Sequence, residues 1–413
     1  MKYRDPVRIV DEHERWRRRC LNLIPSENVM SYRARCLLAS DMGHRYTLPR
    51  IREMDGRLVE NAYRGTRFLD EVEEAAVELA REIFDCEYAC VRPISGHASA
   101  MISLASVCRI GDSLLATEFQ NGGYPGYGSD QMAGMLGLRG AGLPSTRDGC
   151  DIDYEAARQR IRDFSPRAVV IGASKMLFRP DVPLLKDACV EAGSTLLYDA
   201  SHVLGLIAGG MFGRPLEEGV DILFGSTHKS FFGPQGGIVL TNQRELFEKV
   251  ESNLHWRTID NAHWNRIAAL CQSLLEFKSF GKRYAAKVVA NARALASELD
   301  RRGVPVQCRE RGFTESHQVG LDGPLLAEAA GLGNLEEAAK RLERADIIID
   351  CVARLGTCEV TRLGMGEPEM RQVASLISRV LIEKEEPECV RPDVHKLREK
   401  FASPKFCFES GPD

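Results

Sequence analysis

The stretch Thr195–Gly237 constrains this chain more than any other. It reads TLLYDASHVLGL and, after a loop, DILFGSTHKSFFGPQGG. One apolar run ends in Asp199, with His202 three residues later. A second ends in Ser226-Thr227-His228-Lys229, followed by Gly233-Pro234-Gln235-Gly236-Gly237. Short runs that are apolar throughout suit strands of a parallel sheet covered on both faces. A carboxylate and a lysine just past the carboxyl ends of such strands lie where open α/β sheets bind ligands. Taken singly, Asp199 reads as a helix cap and Lys229 as a solvated loop lysine. Taken as a pair, with a histidine and a Gly-rich turn beside them, they fit a pyridoxal 5′-phosphate (PLP) site. There a lysine forms a Schiff base with the aldehyde, and an acid keeps the pyridine nitrogen protonated.

The rest of the chain supplies the frame. Asp70–Phe84 has apolar residues at helical spacing, with Asp70 and Glu73 placed as a capping box. Tyr88–Val91 reads as a strand and Ala98–Val107 as a helix. Ala168–Gly172, Thr195–Tyr198, Asp221–Phe224 and Gly237–Thr241 read as strands, and Pro183–Ala192 as a helix with its proline in the first turn. This alternation predicts a parallel or mostly parallel sheet. After about Arg244 the pattern turns helical: Glu245–Glu251, Ile267–Phe280, Arg283–Arg302, Leu335–Leu342 and Glu367–Glu383. Val304–Gln307 and Ile347–Val352 read as strands of a smaller domain. The division is an N-terminal helical arm over 1–25, a large α/β domain with a helical link over 26–281, and a small α+β domain over 282–413.

Composition sets the class. A 413-residue chain with 44% hydrophobic and 28% charged residues is an ordinary globular protein. Its formal charge of −4 advertises neither nucleic acid nor an anionic membrane as partner. No apolar run approaches the ~20 residues that span a bilayer, and acidic residues occupy the start of the chain where a signal peptide needs an apolar stretch. Thirteen cysteines, an odd number with no CxxC pair, read as reduced thiols in the cytoplasm.

Leu21–Asn28 (LNLIPSEN), Ser95-Gly96, the Asp199…His202 pair, THK with GPxGG, and ARLGT around Arg354 occur in the order found in serine hydroxymethyltransferases, and the chain resembles that family from about Leu21 to Arg362. The resemblance implies a fold type I PLP-dependent transferase with a mostly parallel seven-stranded sheet in its large domain. It also implies a homodimer with shared active sites and a small amino-acid substrate. Carried over by position, Lys229 is the Schiff-base lysine and Asp199 pairs with the pyridinium nitrogen. His202 and Ser174 lie near the 3′-oxygen. Ser95 and Gly96 meet the phosphate at a helix N-terminus. His97, where the family has a serine, either donates to the phosphate or is a surface histidine. His228 contacts the phosphate or orients the turn. Tyr124 takes the place of a histidine stacked on the cofactor ring, or is a loop aromatic in the core. Arg354 holds the substrate carboxylate through two parallel hydrogen bonds, with Ser26 assisting. Tyr46 and Tyr63 match two tyrosines near the substrate.

The sequence departs from the family at three places. A glutamate two residues after the first tyrosine, which handles the proton of the serine hydroxyl, is replaced by Leu48; Glu53 or Glu60 are substitutes within an insertion of about a dozen residues. The long folate-embracing loop before Arg354 is missing. The glycine-rich turn that reaches the partner's phosphate is replaced by Leu254–Asn261 (LHWRTIDN), and the arginine of GPRGG by Gln235. His255 and His263 are a packing or ligand-contacting pair and have poor zinc spacing, so no metal site is expected. These departures remove folate-specific parts and keep the amino-acid parts. The expected activity is aldol or retro-aldol chemistry (aldolase, transaldolase or hydroxymethyl transfer) at the α-carbon of a small β-hydroxy amino acid or glycine, without tetrahydrofolate. The alternatives are a racemase or epimerase, a hydroxymethyltransferase using folate or a modified pterin, and a non-catalytic family member.

Overall fold

Seven strands of three to five residues build the central sheet of the computed structural model, which describes residues 4–48, 52–54, 57–59, 61 and 63–408. The strands are β1 (Tyr88–Cys90), β2 (Ser113–Thr117), β3 (Arg139–Leu143), β4 (Ala168–Ile171), β5 (Thr195–Asp199), β6 (Ile222–Ser226) and β7 (Gly237–Thr241), in the order β1-β7-β6-β5-β4-β2-β3. β7 is antiparallel to both its neighbours, and the other pairs are parallel. Every residue of β4, β6 and β7 is buried, which is why their sequences are apolar without alternation. The helix α1 (Gly96–Val107) is buried at nine of its twelve positions and shows almost no polar face. Its Ile102 and Leu104 share one core with Val170, Leu197, Phe224 and Val239 from four strands.

The chain divides into two compact units. Residues up to Val29 join Arg283–Phe406 in one, and Met30–Lys282 make the other, which holds the sheet. In the first, the short strand Leu21–Asn22 pairs in parallel with Ile347–Ile348, and Gln318–Gly320 pairs antiparallel with Arg354–Gly356. Leu21, Leu23, Leu295, Leu299, Ile347, Leu355 and Ile377 belong to its core.

Several local expectations are corrected. The helix expected from Asp70 begins at Arg67, with Thr66 ahead of it, so no capping box forms; Asp70 instead accepts the Thr66 hydroxyl at 3.2 Å, and Glu73 pairs with Arg92 at 2.7 Å. The two helices expected over 267–302 are one 38-residue helix, α2 (Trp264–Arg301), because the helix formers Lys282 and Arg283 carry it through with no proline or cap between. Val304–Gln307 is not a strand; Val306 makes only an isolated bridge to Leu321. The strand at Ile347 stops after two residues. β2, β3 and the helix Tyr154–Phe164 have weaker sequence patterns and were not foreseen. The insertion carries two short antiparallel strands, Arg52–Met54 and Arg57–Val59, and Glu60 lies outside the described residues.

One packing contact fixes the segment after Lys229. Phe231 and Phe232 are fully buried and lie against Phe277 of α2, at ring-centroid distances of 4.2 and 4.5 Å. Such pairs add about 0.5–1.5 kcal/mol to the burial itself. Phe277→Ala is expected to cost about 3–5 kcal/mol of stability, read as a lowered urea midpoint. An unchanged midpoint would show that the stack does not anchor this segment.

Candidate active site

The parallel register sets Asp199, the last residue of β5, opposite Phe224, and β6 runs two residues further to Ser226. Past those ends the chain turns twice. After β5, the Ser201 N–H donates to Asp199 Oδ1 at 3.0 Å. After β6, Thr227 anchors the Gly-rich turn: its hydroxyl donates to the Pro234 carbonyl at 2.7 Å, and its carbonyl accepts the Gly233 N–H at 2.8 Å. Lys229 sits within this turn, half-buried. His202 is buried, one residue past Ser201.

Two glycines let these parts approach. Gly172, the residue after β4, has φ +105°, and a Cβ there would strike the Asp199 carbonyl. Ser174 follows two residues later. Gly96 opens α1, and a Cβ there would strike the Ser226 hydroxyl and crowd that of Ser201. The Ser95 hydroxyl caps α1 by accepting the Ala98 N–H at 3.0 Å. The α1 N-terminus, with the positive end of its dipole, therefore meets the ends of β5 and β6, an arrangement suited to an anion.

A chain of aromatic side chains runs from α1 to the acid. His97 Nδ1 lies 2.7 Å from the Tyr124 hydroxyl. The Tyr124 and Tyr127 rings meet edge to face, with centroids 5.5 Å apart. Tyr127 donates its hydroxyl to Asp199 Oδ2 at 2.7 Å. Burial, then the Asp199 charge and this hydrogen bond, push the Tyr127 phenol well above its ordinary range, so it stays a donor to the carboxylate. Burial and then Asp199 raise Tyr124 in the same sense. Tyr127 was missed from the sequence. The signal lay in NGGYPGYG, where a second tyrosine follows Tyr124 by three residues, but nothing in that run says which of the two faces the acid.

The other unit gathers Arg354 and Ser26. Arg354 Nε donates to Asp350 Oδ2 at 2.8 Å, which orients the guanidinium from four positions earlier in the chain. The Gly356 N–H donates to the Leu23 carbonyl at 2.7 Å and the Pro25 carbonyl lies 3.2 Å from His317 Nε2, so the segment bearing Ser26 is tied to the strand bearing Arg354. Tyr46 and Tyr63, in the sheet-bearing unit, pack with their rings tilted at 48° and centroids 5.0 Å apart, both exposed. The Tyr46 hydroxyl donates to the Asp260 carboxylate, a partner the sequence did not suggest.

These residues fit PLP. The cradle at Gly96 admits no Cβ, α1 offers a capped N-terminus, Asp199 is a buried acid with both oxygens oriented, and His228 Nδ1 is a buried ring nitrogen without a hydrogen bond among the described residues. Burial, then the Lys229 charge, lowers His228 to about 4. In the protein without cofactor, stability from the neutral ring is fully present above pH ~6.5 and fades as pH falls toward about 4. Between those limits the wild type is expected to lose about 2–3 kcal/mol more than His228→Asn in urea melts. Parallel losses in the two proteins would contradict this.

The comparisons agree with the geometry. The family model described as serine hydroxymethyltransferase matches residues 4–377. The serine hydroxymethyltransferase of Methanopyrus kandleri is 39% identical over 420 residues, covering 98% of this chain and 95% of that protein. The one from Methanocella arvoryzae is 40% identical over 408 residues, covering 95% and 93%. Among solved structures, the L-threonine transaldolase of Pseudomonas fluorescens superposes with a TM-score of 0.88 at 24% identity, covering 98% of this chain and 94% of that one; at that identity the likeness speaks for the fold. Fold type I architecture, PLP as cofactor and an enzyme chemistry of the aldol or hydroxymethyl-transfer type follow from the family. This chain belongs to the serine hydroxymethyltransferase family.

Proposed function

We propose that this chain cleaves the Cα–Cβ bond of a small β-hydroxy amino acid, or joins glycine to an aldehyde, without tetrahydrofolate. The observation that carries the reading is Leu48: an apolar, buried side chain stands where the family keeps a proton-handling glutamate. The direct run from Ile348 through Asp350 to Arg354, in place of the folate-embracing loop, supports it.

PLP, when bound, supplies an electron sink for the α-carbon of the amino acid. The protein's part is to hold and orient. Lys229 is the residue that carries the cofactor. Asp199, aimed by Tyr127 and Ser201, keeps the ring nitrogen protonated, and His202 and Ser174 serve its 3′-oxygen side. Ser95, Gly96 and His97 take the phosphate at the α1 N-terminus, with His228 beside Lys229. Tyr124 lies against the ring. Arg354, held by Asp350, clamps the substrate carboxylate with help from Ser26, and Tyr46 and Tyr63 face the β-hydroxyl. In this reading the protein is a cytoplasmic homodimer with shared active sites.

The deciding experiment is incubation with a panel of β-hydroxy amino acids, with and without tetrahydrofolate, following glycine and aldehyde. Release of both at equal rates in either condition is expected. Glycine formed only with tetrahydrofolate would restore ordinary hydroxymethyl transfer, and α-hydrogen exchange without aldehyde would indicate a racemase. Arg354→Lys is expected to raise KM for the amino acid about 10–100-fold, because an ammonium cannot reproduce the planar two-bond clamp. An unchanged KM would remove Arg354 from that role.

A further inference from the structure

The reaction proposed above needs an acceptor for the β-hydroxyl proton, and this chain lacks the family's glutamate. The structure provides another carboxylate. Asp260 accepts a hydrogen bond from the Tyr46 hydroxyl, and it comes from the run Leu254–Asn261 that stands in place of the glycine-rich turn. An exposed tyrosine–aspartate contact alone carries little weight. Here the backbone on both sides of Tyr46 is pinned to the residue after Asp260. The Asn261 side chain donates to the Arg45 carbonyl at 3.1 Å and accepts the Thr47 N–H at 3.3 Å. It also accepts the indole N–H of fully buried Trp264 at 3.0 Å. Asn61 ties in the second tyrosine, accepting the Tyr63 N–H at 2.9 Å and bonding the Thr47 hydroxyl. The result is a fixed surface group of two phenols packed at a tilt and one carboxylate, all open to solvent.

We propose that Asp260 replaces the lost glutamate as the terminal proton acceptor, working through Tyr46. The inference rests on the aldol reading. As the Cα–Cβ bond breaks, the substrate hydroxyl passes its proton to Tyr46 Oη while Tyr46 passes its own proton to Asp260 Oδ2. The O–H electron pair becomes the second bond of the aldehyde carbonyl. The Cα–Cβ pair stays on the α-carbon, which then takes a proton to give glycine, and Asp260 returns its proton to water. The hydrogen bond to Asp260 raises the Tyr46 phenol to about 12, so Tyr46 stays protonated and gives up a proton only as it gains one. Tyr46 touches the substrate, and Asp260 is a positioning residue that acts through it.

The test uses full-length holoenzyme carrying Asp260→Asn or Asp260→Glu. Two rates are measured: aldehyde release from a β-hydroxy amino acid, and α-hydrogen exchange of glycine, which involves no hydroxyl proton. Asp260→Asn should lower kcat for aldehyde release about 100-fold or more and leave glycine exchange and the cofactor absorbance intact. Asp260→Glu should recover most of the rate. Ultraviolet titration, which needs no turnover, should show one phenol moving down in Asp260→Asn. An Asp260→Asn enzyme with wild-type kcat, or one losing both reactions equally, overturns the proposal. A wild type that exchanges the glycine α-hydrogen yet releases no aldehyde overturns the aldol reading instead.

Discussion

The register between β5 and β6 is the constraint on which the cofactor site depends. Because Asp199 stands opposite Phe224, β5 stops two residues short of the end of β6, and the turns after them hold the acid and the lysine at one edge of the sheet. A slip of one residue would turn each buried side chain to the other face. Here every residue of β6 and all but the first of β5 are buried, so the packing of both faces sets the register. The α1 N-terminus reaches the same edge only because Gly96 presents no side chain to Ser226 and Ser201.

Around that edge the chain is held by packing and by backbone-directed hydrogen bonds. The Gly-rich turn after Lys229 is held by Thr227 and by the Phe231–Phe277 stack, features that depend on packing and not on which acceptor the reaction uses. The parts that the sequence reading sets apart from the family are Leu48, the path into Arg354, and Leu254–Asn261. The last of these does more than fill space. It carries Asp260 and Asn261 to the Tyr46 segment, where the positive φ of Trp256 (+62°) marks a backbone held in a conformation that non-glycine residues seldom adopt.

The sheet, and the place of Asp199 and Lys229 at the ends of two of its strands, were legible in the sequence because buried parallel strands leave unbroken apolar runs. The resemblance singles out Arg354, but nothing in the sequence marks Asp350 as its partner, since three residues lie between them and only the turn brings them together. Tyr127 was hidden because a tyrosine's partner depends on the turn that aims it, and the 3-10 turn at Pro125–Tyr127 follows from backbone geometry that the sequence only hints at. Asp260 was hidden for a different reason: it lies 214 residues from Tyr46, and only tertiary folding brings them together. The helix boundaries near Asp70 and Phe280 were misread because local capping and breaking signals gave way to longer helices packed in the core.

The central claim is that the cofactor is bound at the joined ends of β5 and β6. It is tested most directly by reducing the purified protein with borohydride and mapping the modified peptide by mass spectrometry. The account predicts one pyridoxyl group, on Lys229. A label on another lysine, or none on a protein that still turns over its amino acid, would contradict it.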